Sequence, residues 1–174
     1  FRFAKVKNKR DFLYQLEQEA NGYLELLNKG DFRGYARIIE KPDNSAEIVL
    51  LDADGERIYN PNTALKTTMY MSLLFAIAKL TTVKHENDFP LIFDAPTSSF
   101  TGAKESEFFG VIGNINKQTI IVTKSFLKEE KDGKSILDTM RLKDIKAKKY
   151  RISKKYPFDD KNLATIETEI ESLN

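Results

Sequence analysis

The stretch "LIFDAPTSSF" (Leu91–Phe100) decides how the rest of the chain is interpreted. The uncharged run Pro90–Phe93 predicts a short strand that is buried on both faces of a sheet. The run ends on Asp94, which Ala-Pro and a small polar loop follow. A carboxylate at the carboxyl end of such a strand lies where α/β sheets bind ligands, and it can hold Mg²⁺ through water. The alternative is that Asp94 only starts a turn of the Asp-x-Pro kind.

The segments that follow predict a strand–helix–strand unit. "GAKESEFFGVIGNI" (Gly102–Ile115) predicts a helix, and "QTIIVTK" (Gln118–Lys124) predicts a second buried strand with a polar tip. Two strands joined by one helix are expected to pair in parallel through a right-handed crossover. Lys124 at the tip is also explained as a solvated side chain, and Glu105 and Glu107 are explained by an exposed helix face.

The segments that precede it predict a helix, a hairpin and a second helix. Residues Asn8–Gly30 carry apolar side chains at three- and four-residue steps, which indicates an amphipathic helix. Tyr35–Glu40 and Ala46–Asp52 are rich in β-forming residues and are separated by a turn, which predicts a hairpin. Ala64–Leu80 is apolar nearly all round, so we expect a helix buried on most sides. The polar residues Asn62 and Thr63 precede it. A helix start suits a phosphate, and the alternative, which the segment taken alone favours, is that Asn62 or Thr63 is a plain N-cap.

The last third of the chain is basic. Residues 124–155 contain 12 Lys and Arg against 5 Asp and Glu, a local balance of +7. We expect a late strand within Lys149–Phe158 and a closing helix over Asp160–Leu173, with Leu163, Ile166 and Ile170 apolar. DNA phosphates are one expected partner of the dense basic run, and a solvated surface is the alternative. The run includes Lys146, Lys148, Lys149, Arg151, Lys154 and Lys155.

Length and composition bound the classes that are possible. The 174 residues suffice for one domain with a core, and we expect a single α/β domain over residues 1–174. The absence of cysteine excludes disulfides and thiolate metal sites and fits a reducing compartment, so a cytoplasmic location is expected. One histidine argues against a His-rich metal site or a Ser-His-Asp triad. No apolar run approaches the ~20 residues of a membrane helix, so no membrane partner is expected.

The order of these segments resembles the second half of ABC-type ATPase heads, in the SMC-like branch that includes RecN, SbcC-type and DndD-like proteins. "NTALKT" stands where the signature loop of that family stands, with Lys66 and Thr67 matching its Lys-Thr. "LIFDAPTSSF" is similar to the Walker B strand plus D-loop, and "TIIVTK" is similar to the switch strand. The helix over residues 8–30 resembles the end of a coiled coil as it enters the head.

The resemblance implies a mixed sheet with a parallel core flanked by helices, the C-terminal lobe of a P-loop NTPase head. It implies ATP and Mg²⁺ held between two heads of a homodimer that acts on DNA in repair, sulfur modification or phage defence. Asp94 would hold the metal through water, and Lys124 would be the switch residue. The residues that would reach the γ-phosphate in trans are Asn62, Thr63 and Lys66, and those of the D-loop are Ser99 and Phe100.

Departures from the family pattern predict slow hydrolysis. Ala95 replaces the glutamate that activates the attacking water, and Lys124 replaces the switch histidine. Asn62-Thr63-Ala64 replaces Ser-Gly-Gly in the signature, and Ser99-Phe100 replaces Leu-Asp in the D-loop. Hydrolysis is therefore expected to be slow or stimulated by a partner.

The phosphate-loop pattern GxxxxGK[ST] is not met; "KEEKDGKS" has Lys128 in place of the first glycine. In the family that loop lies in an N-terminal half, so the chain is interpreted as the C-terminal half of a split head that needs its N-terminal half. Two alternatives remain open. One is a non-hydrolysing structural, DNA-binding or dimerisation module of the same fold. The other is an unrelated α/β hydrolase or nuclease with a metal on Asp94, which lacks a second carboxylate at ligand spacing.

Overall fold

The computed structural model describes residues 2–84, 90–115, 118–129, 135–157, 159–163 and 167–173. The chain forms two compact units, residues 1–127 and residues 128–174. The single domain expected over residues 1–174 stays a prediction. The phosphate-loop look-alike at 128–135 falls largely outside the described residues. In the described part, no helix combines the length and apolar character needed to span a membrane.

The first layer of unit one is a helix packed on a three-stranded antiparallel sheet. Helix α1 spans Arg2–Leu26, and strands β1 (Gly34–Glu40), β2 (Ala46–Asp52) and β3 (Arg57–Ile58) form the sheet in the order β1-β2-β3. The predicted hairpin is confirmed, since β1 and β2 pair from Gly34↔Asp52 to Glu40↔Ala46. The predicted apolar stripe is confirmed as well: Leu16 and Ala20 are buried on α1, Leu27 is buried just after its end, and Phe12 and Tyr23 are half-buried.

Two side chains of α1 hydrogen-bond the outer edge of β1. The Asn21 side chain donates to the Ala36 carbonyl at 2.9 Å and accepts from the Ala36 N–H at 2.7 Å. One turn earlier, the Glu17 carboxylate accepts from the Ile38 N–H at 2.8 Å. An exposed strand edge offers unpaired backbone groups to other chains, so these bonds both orient the sheet on α1 and protect its edge.

Helix α2 (Thr63–Lys84) runs against α1 and carries the core of the unit. It is buried on most sides, as its composition predicts, and Phe75 and Ala76 are fully enclosed. One stripe is nevertheless exposed, comprising Tyr70, Leu74 and Ile77. The Lys79 ammonium contacts the Glu19 carboxylate at 2.7 Å, which ties α2 to α1 and raises the pKa of Lys79 above its ordinary value.

The predicted strand–helix–strand unit is confirmed as β4 (Leu91–Asp94), α3 (Gly102–Gly113) and β5 (Thr119–Val122). Strands β4 and β5 pair in parallel, with Phe93 opposite Ile121 and Asp94 opposite Val122. The expected burial on both faces is wrong. Only the face of Phe93 packs on the core, and the opposite face is exposed: Ile92 is 67%, Ile120 45% and Val122 47% exposed. Within the described residues no element covers that face.

Aromatic side chains from α2, β4 and α3 pack together and form a second hydrophobic core. Phe108 on α3 is fully buried, with ring centroids 6.2 Å from Phe75, 5.9 Å from Phe93, 6.1 Å from Phe100 and 5.6 Å from Phe109. The contacts with Phe93, Phe100 and Phe109 are edge-to-face, the favoured arrangement for such pairs. This cluster fixes the strand ends that carry the candidate site.

Unit two is built from short strands. Strand β6 (Leu127–Glu129) begins at the last residue of unit one and pairs with β7 (Ser135–Leu137). Helix α4 (Thr139–Lys143) follows, and β8 (Tyr150–Lys154) pairs antiparallel with β9 (Thr168–Ser172). The predicted late strand is confirmed as β8. The predicted closing helix over 160–173 is wrong at its end, where "TEIES" alternates with the period of a strand and pairs with β8. Its residues 164–166 lie outside the described part.

An ion pair in unit two predicts a pH-dependent stability. Asp138 is buried, accepts a hydrogen bond from the Arg141 N–H and contacts the Lys128 ammonium at 2.8 Å. The hydrogen bond from Lys128 lowers the pKa of Asp138 below its ordinary value. A lowered pKa contributes stability that is present above the ordinary carboxyl value of about 3.9 and is lost as the pH falls through the lowered pKa.

Asp138→Asn should therefore destabilise the protein near neutral pH and lose its effect in acid. The measurement is denaturant unfolding of the natural protein and of Asp138→Asn, from neutral pH down to below the ordinary carboxyl pKa of about 3.9. Asp160→Asn, at an exposed carboxylate, is the control for the change of charge. A constant difference between Asp138→Asn and the natural protein at every pH would contradict the assignment.

Candidate functional site

Asp94 and Lys124 lie at one edge of the parallel strand pair. Asp94 is the last residue of β4, opposite Val122, and the Ala95 N–H donates to the Val122 carbonyl at 2.8 Å. Thr123 and Lys124 follow Val122 directly, so both polar tips leave the sheet at the same edge. Asp94 and Lys124 are exposed, which leaves both side chains available to a ligand. The structure thus places both residues at the ends of neighbouring strands, on one edge of the sheet.

Ala95 has an unusual backbone conformation. Its φ is 45°, in the left-handed region that non-glycine residues seldom adopt. The carbonyl of Ala95 accepts from the Ser98 N–H at 3.2 Å, so the turn after β4 begins at this residue. Conformations of this kind cluster at functional sites, where the surrounding structure holds them. The surrounding structure therefore holds the residue after Asp94 in a strained backbone conformation, as is common at functional sites.

The start of α2 is capped by Asn62. The Asn62 side-chain oxygen accepts from the Leu65 N–H at 2.8 Å, and its carbonyl accepts from the Lys66 N–H at 3.0 Å. The N-cap alternative is therefore confirmed for Asn62. Its side-chain NH₂ group is not used by this cap and keeps its donors for a ligand. Thr63 and Lys66 are exposed beside it on the first turn.

The loop after Asp94 connects the strand ends to α2. The Ser99 hydroxyl donates to the Thr67 hydroxyl at 3.3 Å, one turn into α2. Phe100 packs its ring on Phe108 and is half-buried, so it anchors the loop on the aromatic core. Of the two D-loop candidates, Ser99 has the polar contact and Phe100 the packing role.

A buried polar network, which the sequence analysis missed, lies beneath the strand ends. Glu105 is 5% exposed and accepts from the Thr97 hydroxyl at 3.0 Å. The Thr97 oxygen lies 2.9 Å from the Ser125 hydroxyl, which lies 3.0 Å from the Thr123 hydroxyl. The network links α3, the loop after β4 and the loop that carries Lys124. The exposed face expected for Glu105 is wrong, because spacing i, i+3 and i+6 puts it on one face with Phe108 and Val111, both buried.

At this edge of the sheet, the described residues offer a metal ion a single carboxylate, that of Asp94, and no complete set of protein ligands. No cluster of three or more His, Asp or Glu side chains with metal-binding geometry occurs in that part of the chain. Mg²⁺ is commonly held by one or two carboxylates together with substrate phosphates and water. Asp94 fits that role as a single ligand, and the remaining ligands would come from a nucleotide and water.

The basic residues predicted to meet DNA lie in unit two, and β9 neutralises part of them. Arg151 stands opposite Glu171 in the sheet, and the Lys155 ammonium contacts the Glu167 carboxylate at 2.9 Å. Because the chain end is a strand, its glutamates alternate onto the face of these residues. Of the six basic residues predicted to contact DNA, four lie outside these two pairs: Lys146, Lys148, Lys149 and Lys154.

Comparison with known proteins gives structural relatives. No protein-family model and no curated protein sequence matches the chain. Among solved structures, one from work on ATP-driven dimerisation and DNA-stimulated activation of SMC ATPases aligns with a TM-score of 0.64 and 20% identity, over 98% of this chain and 89% of the other. The chain has the fold of an SMC ATPase head.

A second solved structure, an Smc head bound to the C-winged helix domain of ScpA, aligns with this chain at a TM-score of 0.53 and 18% identity. This match covers 75% of the present chain and 45% of that one. The predicted fold class, an α/β lobe of a P-loop NTPase head, is confirmed. The SMC-like, ABC-type resemblance is supported at the level of fold.

Proposed function

We propose that this chain is the C-terminal ATPase lobe of an SMC-like DNA-repair or phage-defence protein of the RecN, SbcC or DndD kind. It binds ATP and Mg²⁺ between two heads and acts on DNA. The observation that carries the proposal is the exposed polar edge of the SMC-head fold. There Asp94 and Lys124 leave adjacent strands, and the loop after Asp94 bonds through Ser99 to Thr67 on α2.

In this proposal the exposed polar side chains of the site form two groups, and each group contacts a different one of the two bound nucleotides. Asp94 and Lys124 would serve the nucleotide of their own head, with Asp94 holding Mg²⁺ through water. Asn62, Thr63 and Lys66 would meet the γ-phosphate on the opposite head, with the first turn of α2 adding its N–H groups. An exposed position in the single chain is what a contact in trans requires.

The uncovered face of the β4–β5 pair supports an N-terminal half that completes the head. Parallel sheets occur almost always with both faces covered, and a two-stranded pair is marginal by itself. Here Ile92, Ile120 and Val122 expose apolar surface on one face. A further lobe that carries GxxxxGK[ST] would cover that face and supply the phosphate loop that this sequence lacks.

The replacements at the site favour slow or partner-stimulated hydrolysis. Ala95 offers no base to the attacking water, and Lys124 is a point charge that does not shuttle protons near neutral pH unless its pKa is lowered. DNA is the proposed stimulating partner, through the exposed lysines Lys146, Lys148 and Lys154 of unit two and in analogy to the DNA-stimulated activation studied for SMC ATPases. A non-hydrolysing module that only dimerises or binds DNA is the second candidate, and Ala95 favours it.

Asp94→Asn in the whole protein, with the N-terminal half present, tests the proposal. A metal ligand acting through water contributes at about the level of an outer-shell group, so ATP turnover should fall by about 10- to 100-fold. Turnover and ATP-dependent dimerisation would be measured by phosphate release and by light scattering after size exclusion. Asp54→Asn, in the exposed turn before β3, is the matched control and should leave both unchanged.

The two candidate functions give opposite outcomes in this experiment. If the protein is a non-hydrolysing module, turnover is at background in the natural protein, and Asp94→Asn alters neither dimerisation nor DNA binding. A dimer that forms equally with and without ATP would overturn the proposed clamp between heads.

A further inference from the structure

The buried carboxylate of Glu105 takes no direct part in the proposed contacts to ATP, although it is linked to both loops that make them. Glu105 lies on α3 and is 5% exposed. Thr97, which donates to it at 3.0 Å, belongs to the loop after Asp94 and is 4% exposed. A buried carboxylate costs free energy unless hydrogen bonds compensate it, and Thr97 supplies such a bond from the loop of the proposed metal ligand.

The hydrogen bonds that end on Glu105 run in one direction. A hydroxyl has one proton to donate, and an ionised carboxylate only accepts. The Thr97 proton is directed to Glu105, so Ser125 is the donor in the 2.9 Å contact between the hydroxyls of Thr97 and Ser125. Ser125 in turn accepts from the Thr123 hydroxyl at 3.0 Å, and the Thr123 oxygen accepts from the Ser125 N–H at 3.1 Å. The chain of bonds therefore begins in the loop of Lys124 and ends on the buried carboxylate.

Lys124 stands between the two hydroxyl residues of its loop. Thr123 precedes it and Ser125 follows it, and both are half-buried while Lys124 is exposed. The chain is thus held on either side of Lys124, whereas the Lys124 side chain stays accessible. Successive hydrogen bonds inside a protein polarise and strengthen one another. Displacing this loop would break a bond of the network in the protein interior, which is unfavourable.

Thr97 connects this loop with the loop after Asp94. The Thr97 carbonyl accepts from the Phe100 N–H at 3.0 Å, so Thr97 is itself fixed by a turn in its own loop. Its hydroxyl contacts Ser125, 28 positions further along the chain. In addition to the pairing of β4 with β5, this contact fixes the spacing between the loop of Asp94 and the loop of Lys124.

We propose that Glu105 is a positioning residue for Lys124. Through Thr97 and Ser125 it holds Lys124 at the distance from Asp94 at which the terminal phosphate of one nucleotide meets both residues. The inference rests on the proposed function and deepens it, since it gives a buried carboxylate a part in the recognition of the γ-phosphate. Glu105 itself does not touch the nucleotide. Because ADP lacks the γ-phosphate, the preference of the protein for ATP over ADP reports the position of Lys124.

The affinities of the whole protein for ATP and for ADP, measured by calorimetry with the N-terminal half present, test this role. Ser125→Ala removes the hydroxyl that links the two loops and leaves the bond between Thr97 and Glu105 in place. The preference for ATP over ADP should fall about tenfold, the order expected when a charged hydrogen bond is lost, and the affinity for ADP should stay within about twofold. Thr97→Val conserves the shape, breaks the link from the other side and should cause the same loss.

A double-mutant cycle with Lys124→Gln separates positioning from a general loss of structure. If the network acts through Lys124, adding Ser125→Ala to Lys124→Gln should change the preference for ATP by less than about twofold, because the two losses are not additive. Glu105→Gln should keep the preference within about threefold of the natural protein, since the amide oxygen still accepts from Thr97.

Ser72→Ala is the matched control for the loss of a buried hydroxyl. Ser72 is 1% exposed, and its hydroxyl donates to the Thr68 carbonyl within α2 at 2.7 Å. The bond lies outside the network of Glu105, so Ser72→Ala should leave the preference for ATP over ADP unchanged even where it lowers stability. A loss of preference equal to that of Ser125→Ala would contradict a specific role of the network.

Amide exchange without nucleotide distinguishes a failure of this inference from a failure of the proposed function. Thr97→Val should speed exchange of the Ser125 amide several-fold, because the loop opens more readily; unchanged exchange overturns the hold of the network on the loop. If the natural protein does not prefer ATP to ADP, the proposed function fails and with it the role of Lys124, and the exchange result still decides whether the network holds the loop. If the natural protein does prefer ATP, an unchanged preference in Ser125→Ala, or a loss that adds in full to that of Lys124→Gln, overturns the positioning role alone.

Discussion

Replacement of Phe108 by alanine is expected to lower the free energy of unfolding by about 3–5 kcal/mol, as is typical for truncating a large aromatic in a core. Phe108 is fully buried and contacts four phenylalanine rings, drawn from α2, β4, the following loop and α3. Alanine would leave a cavity that these rings cannot all close. Because Phe100 rests on Phe108, the loop after Asp94 should also lose its anchor.

Urea unfolding of the natural and variant proteins measures this loss. Tyr14→Ala is the control, since Tyr14 is 65% exposed on α1 and its truncation should change stability by less than about 0.5 kcal/mol. A loss below about 1 kcal/mol for Phe108→Ala would show that the aromatic cluster collapses around the vacancy.

The elements with a strong local signal were predictable from the sequence. The hairpin β1–β2 has β-forming residues around a turn, whereas α2 and the succession β4–α3–β5 are apolar segments bounded by polar turn residues. The end of the first helix was predicted at Gly30, whereas α1 ends at Leu26 and Gly30 lies in the turn that follows, with a φ of +81°. Local chemistry thus determines element type in these segments.

Burial and the last strand were not predictable in the same way. The run "LIFD" has no charge before its end, which predicted burial on both faces, yet the period of the strand exposes Ile92 while Phe93 is enclosed. Whether a face is covered depends on which other elements pack there, and the run itself does not contain that information. The "TEIES" segment is a strand because β8 offers it an edge, and helix-compatible spacing of its apolar residues predicted otherwise.

The candidate site was predictable as separate polar groups but not as a connected structure. Asp94 was found because a carboxylate at a strand end lies where α/β sheets bind ligands, and Lys124 was found because its strand resembles the switch strand of SMC-like heads. The contact between Ser99 and Thr67 joins residues 32 positions apart and has no local signature. Glu105 had a signal, since its spacing to Phe108 predicts the same helix face, but charge was taken as evidence of exposure.

Ala95→Glu is expected to raise ATP turnover of the whole protein by about 10²- to 10⁴-fold, the usual contribution of a positioned general base. The position follows the proposed metal ligand Asp94 directly, and Ala95 is exposed, so a longer side chain has room. The left-handed φ of 45° is strained by any Cβ, and alanine already bears that strain. Glutamate therefore adds little further cost to the fold.

The expected gain lies nearer the lower end because Lys124 still replaces a histidine at the neighbouring strand end. Ala95→Gln is the matched control, because glutamine has the same size but accepts no proton, and it should leave turnover near that of the natural protein. Phosphate release under saturating ATP measures both. Equal rates for the two variants would show that the residue after Asp94 does not face the attacking water, and would favour the non-hydrolysing module.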